Sequence, residues 1–344
     1  MRIVLVGCGR QSRAWIKAAQ TVGGFELCGF VDVDVEAAAA LAREAGCDGA
    51  AVGSDLAAVL AAARPEAVFD IVPPDVRPAV VHAALGHGCH VLSEKPMAPS
   101  LADAHAMVAA ARAAGRVHAI IQNRRYVPGV RRARAFLDSG AIGALTGLHA
   151  DFFLGPHFGG FRERMRNVLL LDMAIHTFDA GRFMAGALPR AVTASETNPP
   201  GSWYAHGASA FAVFEMGDGL TFTYRGSWCA EGAPTSWEAS WRFTGTRGTL
   251  LWDGADGFEA RRVVGAEGFF RPVEPVEAPP LADVSRAEGY VSLMREFVAA
   301  VRGGPEPETV GSDNIHSLAM VFGAIDSAAS GQRIELLPDR ELAT

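Results

Sequence analysis

Residues 2–12 read RIVLVGCGRQS, and this stretch decides the fold. Ile3–Val6 is a continuous apolar run without alternation, as expected of a strand covered on both faces. It runs directly into Gly7-Cys8-Gly9, and helical periodicity follows near 11–21. In a strand–turn–helix unit of this kind, the first glycine permits the tight turn. The second lets the backbone approach a pyrophosphate held at the helix N-terminus. Ser12 stands where G-x-G-x-x-G has its third glycine, a small residue that still lets the helix pack on the sheet, though less closely. Arg10 and Gln11 complete the turn.

Asp32 lies 20 residues after Ser12, at the end of a second strand expected over 26–31. That is the place for a carboxylate accepting hydrogen bonds from ribose hydroxyls. It would also repel a 2′-phosphate, since two unit charges ~4 Å apart cost roughly 4 kcal/mol at an effective dielectric near 20. NAD is therefore the expected cofactor. NADP remains possible, because Arg10 could offset that repulsion. Asp34, close by, reads as a helix N-cap.

The same alternation continues outward from this unit. Strands are expected at 67–72, 89–93 and 117–121, with helices near 35–45, 55–63, 76–87 and 100–114. Apolar strands alternating with helices imply a doubly wound parallel sheet, an α/β Rossmann domain over residues 1–122. After a helix near 128–139 the texture changes to longer alternating runs, 207–216, 219–228 and 236–243, which read as an antiparallel or mixed sheet. The Pro-rich stretch 272–280 reads as a loop. Helices at 287–302 and 312–329 and a strand at 333–336 close a second, α+β domain over 123–336; the late helices are available to pack back on the first domain.

Composition narrows the function classes. At 344 residues the chain exceeds one usual hydrophobic core. A net charge of −7 disfavours nucleic acid or an anionic membrane as the main partner. Five cysteines without C-x-x-C spacing suggest neither a disulfide framework nor a zinc site, and no metal is expected. The N-terminus shows no signal-peptide pattern and no run of about 18 apolar residues occurs, so a cytoplasmic protein is expected.

Two further features carry chemistry. Of 31 basic residues only Lys17 and Lys95 are lysine. Lys95 lies in Ser93-Glu94-Lys95-Pro96-Met97, and lysine, unlike arginine, can give up a proton. In NVLLLDMAIHTFDAGRFMAG, residues 167–186, Asp172, His176 and Asp179 are spaced i, i+4, i+7, on one face of a regular helix. A carboxylate and an imidazole so placed serve metal binding, acid–base chemistry or a structural hydrogen bond, and the spacing alone does not choose. His157, in the Gly-rich GPHFGGFR, fits a substrate contact or a packing role.

The G-x-G turn, EKP at 94–96, QNRRY at 122–126 and D-x-x-x-H-x-x-D at 172–179 together resemble the Gfo/Idh/MocA oxidoreductases. These include inositol and glucose dehydrogenases and glucose–fructose oxidoreductase. The resemblance covers most of the chain in motif order. It implies a Rossmann domain followed by a domain built on a large, open-faced, mostly antiparallel sheet that often serves in oligomer contacts. It implies that Lys95 lies beside the nicotinamide and meets the reacting hydroxyl, with His176 the acid/base and Asp172 its companion. Val72, Pro73 and Pro74 match a loop lining the nicotinamide, Glu94 and Asn123 match cofactor-side contacts, and Arg125 matches a structural or substrate-adjacent arginine. His157 and the pair Trp203-Tyr204 lie outside the general family pattern and so mark this subgroup's substrate.

The expected activity is hydride transfer between a secondary hydroxyl of a sugar, cyclitol or related polyol and NAD. Two rivals are an NAD-using glycosidase or lyase working through a transient ketone, and a non-catalytic nucleotide-binding sensor. The tryptophans and alternating apolar residues of the second domain predict a homodimer or homotetramer formed through its sheet.

Overall fold

Ile3, Val4 and Leu5 have no accessible surface, so the opening strand is covered on both faces. The computed structural model describes residues 1–336. The chain divides into two compact units: Met1–Asn123 with Glu288–Ile315, and Arg124–Ala287 with residues from His316 onward.

The first unit alternates β1 (Arg2–Val6), α1 (Ser12–Val22), β2 (Glu26–Val31), α2 (Val35–Glu44), β3 (Ala51–Gly53), α3 (Leu56–Ala63), β4 (Ala67–Asp70), α4 (Arg77–Gly86), β5 (His90–Ser93), α5 (Leu101–Ala114) and β6 (His118–Ile120). The six strands are all parallel, in the order β3-β2-β1-β4-β5-β6. This is the doubly wound Rossmann order, whose ligand crevice lies outside the carboxyl ends of the strands where the order reverses, at β1 and β4. Asp34 caps α2, accepting from the Glu36 and Ala37 amides at 3.0 and 3.2 Å.

The second unit opens with α6 (Pro128–Asp138) and β7 (Leu145–Phe153). α7 (Ile175–Ala185) follows, then β8 (Pro189–Thr197), β9 (Ser209–Met216), β10 (Thr221–Ser227), β11 (Ser240–Gly245), β12 (Gly248–Trp252), β13 (Phe258–Val263) and β14 (Val273–Val276). α8 (Tyr290–Val301) belongs to the first unit, and α9 (Gly311–Ser330) and β15 (Ile334–Glu335) end the described chain. Nine strands form one sheet in the order β14-β13-β12-β11-β7-β10-β9-β8-β15, antiparallel except for the β7–β10 pair. In β9 burial alternates strictly, with Ala210, Ala212, Phe214 and Met216 inward. α7 covers this inner face: Phe178 meets Phe214 and Tyr224 edge-on at 4.8 and 5.1 Å. The opposite face carries Phe211 and Val213, 55% and 42% exposed, beside an Arg225–Asp151 ion pair.

One local expectation is overturned. The Pro-rich stretch read as a loop contains β14, and Pro275 sits within it opposite Arg261. β14 is an edge strand, the position in a sheet that tolerates a residue without an N–H.

Candidate active site

In the first unit, the candidate residues lie at the carboxyl end of β1. Gly7 has φ of 92°, and a Cβ there would fall 2.8 Å from the backbone of Ile71. Only glycine fits this turn. At Gly9 an added Cβ would meet nothing within 4 Å, so the turn leaves open space in front of α1. Ser12 shows why the third glycine is dispensable: its hydroxyl donates 2.5 Å to the Gly7 carbonyl and ties the helix start to the turn. Burial pushes the Cys8 thiol up to about 12, with Asp32 adding to the effect, so the cysteine stays a neutral thiol. The Asp32 carboxylate is fixed by the Cys8 amide at 2.6 Å and the Asp34 amide at 3.0 Å. Arg10 is exposed. An anion cradle at a helix N-terminus, with a carboxylate at the end of β2, fits the pyrophosphate and ribose of a dinucleotide.

Two braces hold the loops beyond β4 and β5, and neither was legible in the sequence. Arg77 and Asp70 form a fully buried pair, Nε to Oδ2 2.9 Å, and the same guanidinium donates to the carbonyls of Val72 and Pro96. It therefore ties the Val72–Pro74 loop to the chain following Lys95. The second brace centres on Glu94, which is buried. Its Oε1 accepts from Trp15 Nε1 at 2.9 Å and from the Tyr290 hydroxyl at 3.2 Å, and its Oε2 accepts from the Lys95 amide at 2.9 Å. Gln11, in the phosphate turn, donates 2.8 Å to the same Tyr290 hydroxyl. A hydrogen-bonded chain thus runs from the phosphate turn to the backbone of Lys95, whose residue is partly accessible. Asn123 lies in a short turn after β6 and is also partly accessible.

In the second unit, a π-helical turn over Leu169–Ala174 leads into α7. Asn167, just before it, has φ of 50° and donates 2.6 Å to Glu196. Burial raises the carboxyl pKa of Glu196, partly offset by Asn167. π-Helical turns often mark functional sites. Here the turn is buried except where it opens: between Val168 and Arg182 only Leu171, Asp172 and His176 are accessible. Asp179 lies on regular α7 one turn beyond His176 but is buried, so of the three expected together only Asp172 and His176 are accessible. Asp179 has no accessible surface and accepts both arms of Arg125, at 2.8 and 2.7 Å, together with the Ser317 hydroxyl at 2.7 Å. Arg125 is itself buried.

Asp172 accepts from Arg162 Nε at 2.6 Å. Arg162 closes the GPHFGGFR segment, and its guanidinium lies over Phe158 and Phe161, 5.1 and 4.8 Å from the ring centres. His157 stacks on Trp203 at 3.8 Å and meets Glu231 at 3.0 Å. Tyr204 is buried, parallel to Trp228, and donates to the Pro156 carbonyl at 3.3 Å. The structure therefore joins His157, Trp203 and Tyr204 in one aromatic cluster, connected to Asp172 through Arg162. Sequence reading passed over Arg162, although it lies inside the segment quoted for His157. Among the described residues, His, Cys, Asp and Glu form no group of three that could hold a metal ion.

Comparison with known proteins places this architecture. Residues 1–121 match the oxidoreductase family with an NAD-binding Rossmann fold, and residues 130–251 match the GFO/IDH/MocA C-terminal domain. The chain belongs to the Gfo/Idh/MocA oxidoreductases. Within that family it is 28% identical to the D-apiose dehydrogenase of Paraburkholderia graminis, over 96% of this chain and 88% of the relative. It is 26% identical to inositol 2-dehydrogenase 4 of Saccharopolyspora erythraea, over 82% and 98%. Its fold matches an oxidoreductase from Agrobacterium radiobacter solved with NAD+, L-tartaric acid and magnesium, with TM-score 0.84, 23% identity and coverage of 97% and 98%. The chain is thus a Gfo/Idh/MocA oxidoreductase with an NAD-binding Rossmann unit. Among its described residues no helix is long and apolar enough to cross a membrane.

Proposed function

We propose that the protein oxidises a secondary hydroxyl of a sugar, cyclitol or related polyol with NAD. The observation that carries this reading is the opening of the π-helical turn, which leaves Asp172 and His176 accessible in an otherwise buried stretch. The apiose and inositol dehydrogenases among its relatives support the substrate class. The bound cofactor supplies a hydride acceptor. The chain's own residues handle the proton: His176 receives it as general base, Lys95 polarises the hydroxyl and relays the proton, and Asp172, held by Arg162, orients substrate or imidazole. The Glu94 brace fixes the backbone from which Lys95 projects. Sugars and inositols offered with NAD and with NADP, followed by absorbance of the reduced cofactor, test this reading directly.

NAD is the proposed choice because Asp32, fixed by two amides at the end of β2, is a carboxylate that would repel a 2′-phosphate brought near it. Asp32→Ser is expected to raise the NADP-to-NAD ratio of kcat/KM at least ~10-fold, by removing repulsion and by losing ribose hydrogen bonds. A wild-type enzyme that already prefers NADP strongly overturns the assignment.

The open face of the nine-stranded sheet, with Phe211 and Val213 exposed, is proposed as the contact of a dimer or tetramer. Light scattering at micromolar concentration is expected to give two or four chain masses, and the mass of one chain would refute it. Five cysteines, all present as thiols, suit a reducing cytoplasm.

A further inference from the structure

The aromatic cluster beside Asp172 extends further than one sugar ring requires. Phe158, Phe161 and Trp237 are 47%, 63% and 43% exposed, large apolar surfaces left open to water. They are contiguous: Phe158 lies 6.3 Å from Trp237, and Arg162 bridges Phe158 to Phe161. The same Arg162 holds Asp172, so the shelf begins one guanidinium away from a proposed catalytic carboxylate. Beyond Trp237 it continues into a hollow of about 420 Å³ lined by Pro156, Glu231 and Pro234. That volume is within the range of small-molecule pockets, ~300–1,000 Å³. The His157–Glu231 pair at the rim supplies polar groups beside the apolar floor.

Apolar ring faces with a few polar groups at the edge recognise a ring that shows C–H bonds or π density on one side and hydroxyls at its margin. We propose that Phe158, Phe161 and Trp237 form a subsite for a second ring, so that the substrate is a glycoside rather than a free monosaccharide. This rests on the dehydrogenase reading above and adds the substrate class. The second ring is a pyranosyl unit or an aryl group, joined through the glycosidic oxygen to the ring that is oxidised. Arg162 contributes to both halves, stacking on the shelf and holding Asp172.

The test compares matched pairs. Methyl and phenyl glycosides of glucose, galactose and xylose, and glucose against maltose and cellobiose, are titrated into the full protein by tryptophan fluorescence. Turnover with NAD is measured in parallel. In at least one pair the two-ring compound is expected to bind at least tenfold tighter than its one-ring counterpart. Trp237→Ala is expected to collapse that ratio towards one. Preference for the phenyl glycosides identifies an aryl site, and preference for the disaccharides a pyranosyl site. If no pair shows the tenfold difference, or if Trp237→Ala leaves the ratio intact, the subsite is overturned. A change of oligomeric mass in Trp237→Ala would make the shelf a subunit contact and overturn it equally. Absence of cofactor reduction with every compound refutes the dehydrogenase reading separately, because the binding ratio is read without turnover.

Discussion

Lys95→Arg is expected to lower kcat by ~10²–10⁴-fold, the usual worth of an acid–base group, while NAD affinity changes little. The substitution keeps the positive charge and most of the side-chain length, so a lysine that only attracted substrate would largely survive it. A lysine that must pass on a proton would not, because guanidinium does not release one near neutral pH. The Lys95 amide donates to Glu94 Oε2, and the substitution leaves that hydrogen bond available. His176→Ala is expected to cost a similar factor. The double variant should lose far less than the product of the two, as expected of residues that work as a unit. Measuring kcat for the two single variants and the double variant, with NAD affinity by fluorescence, closes the cycle. Near wild-type turnover in Lys95→Arg would leave the chemistry to His176 and Asp172 alone.

What was legible in the sequence was whatever is written locally. Ile3–Val6, Gly7, Gly9 and Asp32 belong to one strand–turn–helix–strand unit, and short-range geometry dictates all of them. The Asp34 cap was legible for the same reason. The braces were not. Trp15 and Tyr290 reach Glu94 from 79 and 196 residues away, and no periodicity announces such partners. Trp15 gave one faint signal, as the sole tryptophan before residue 203. β14 was hidden by its proline, which an edge position tolerates and a central strand would not. Asp172, His176 and Asp179 were expected to share one face, but helical spacing says nothing of which members are buried. Remote partners, Arg125 and Ser317, hold Asp179 in the interior and separate it from the accessible two.

Arg125→Met is expected to lower stability by about 3 kcal/mol, the lower end of the ~3–5 kcal/mol typical when one partner of a buried ion pair is removed. The cost arises because Asp179, with no accessible surface, keeps a charge that has lost its bidentate partner. The lower end applies because the Ser317 hydroxyl still donates at 2.7 Å and the Arg182 guanidinium stands 3.7 Å away. For a chain of 344 residues that corresponds to a fall in Tm of roughly 4 °C. The double variant Arg125→Met, Asp179→Leu should recover much of the loss, since apolar groups of similar volume often replace a buried pair at little cost. Thermal unfolding of the wild type and both variants measures this directly. The same experiment separates the two roles open to Arg125. A substrate-contacting arginine would lower kcat/KM with Tm unchanged, and the double variant would restore nothing. A buried partner of Asp179 would lower Tm first, and any loss of activity would follow from displacement of α7 and the His176 it carries. A Tm for Arg125→Met within a degree or two of wild type would sink the structural role.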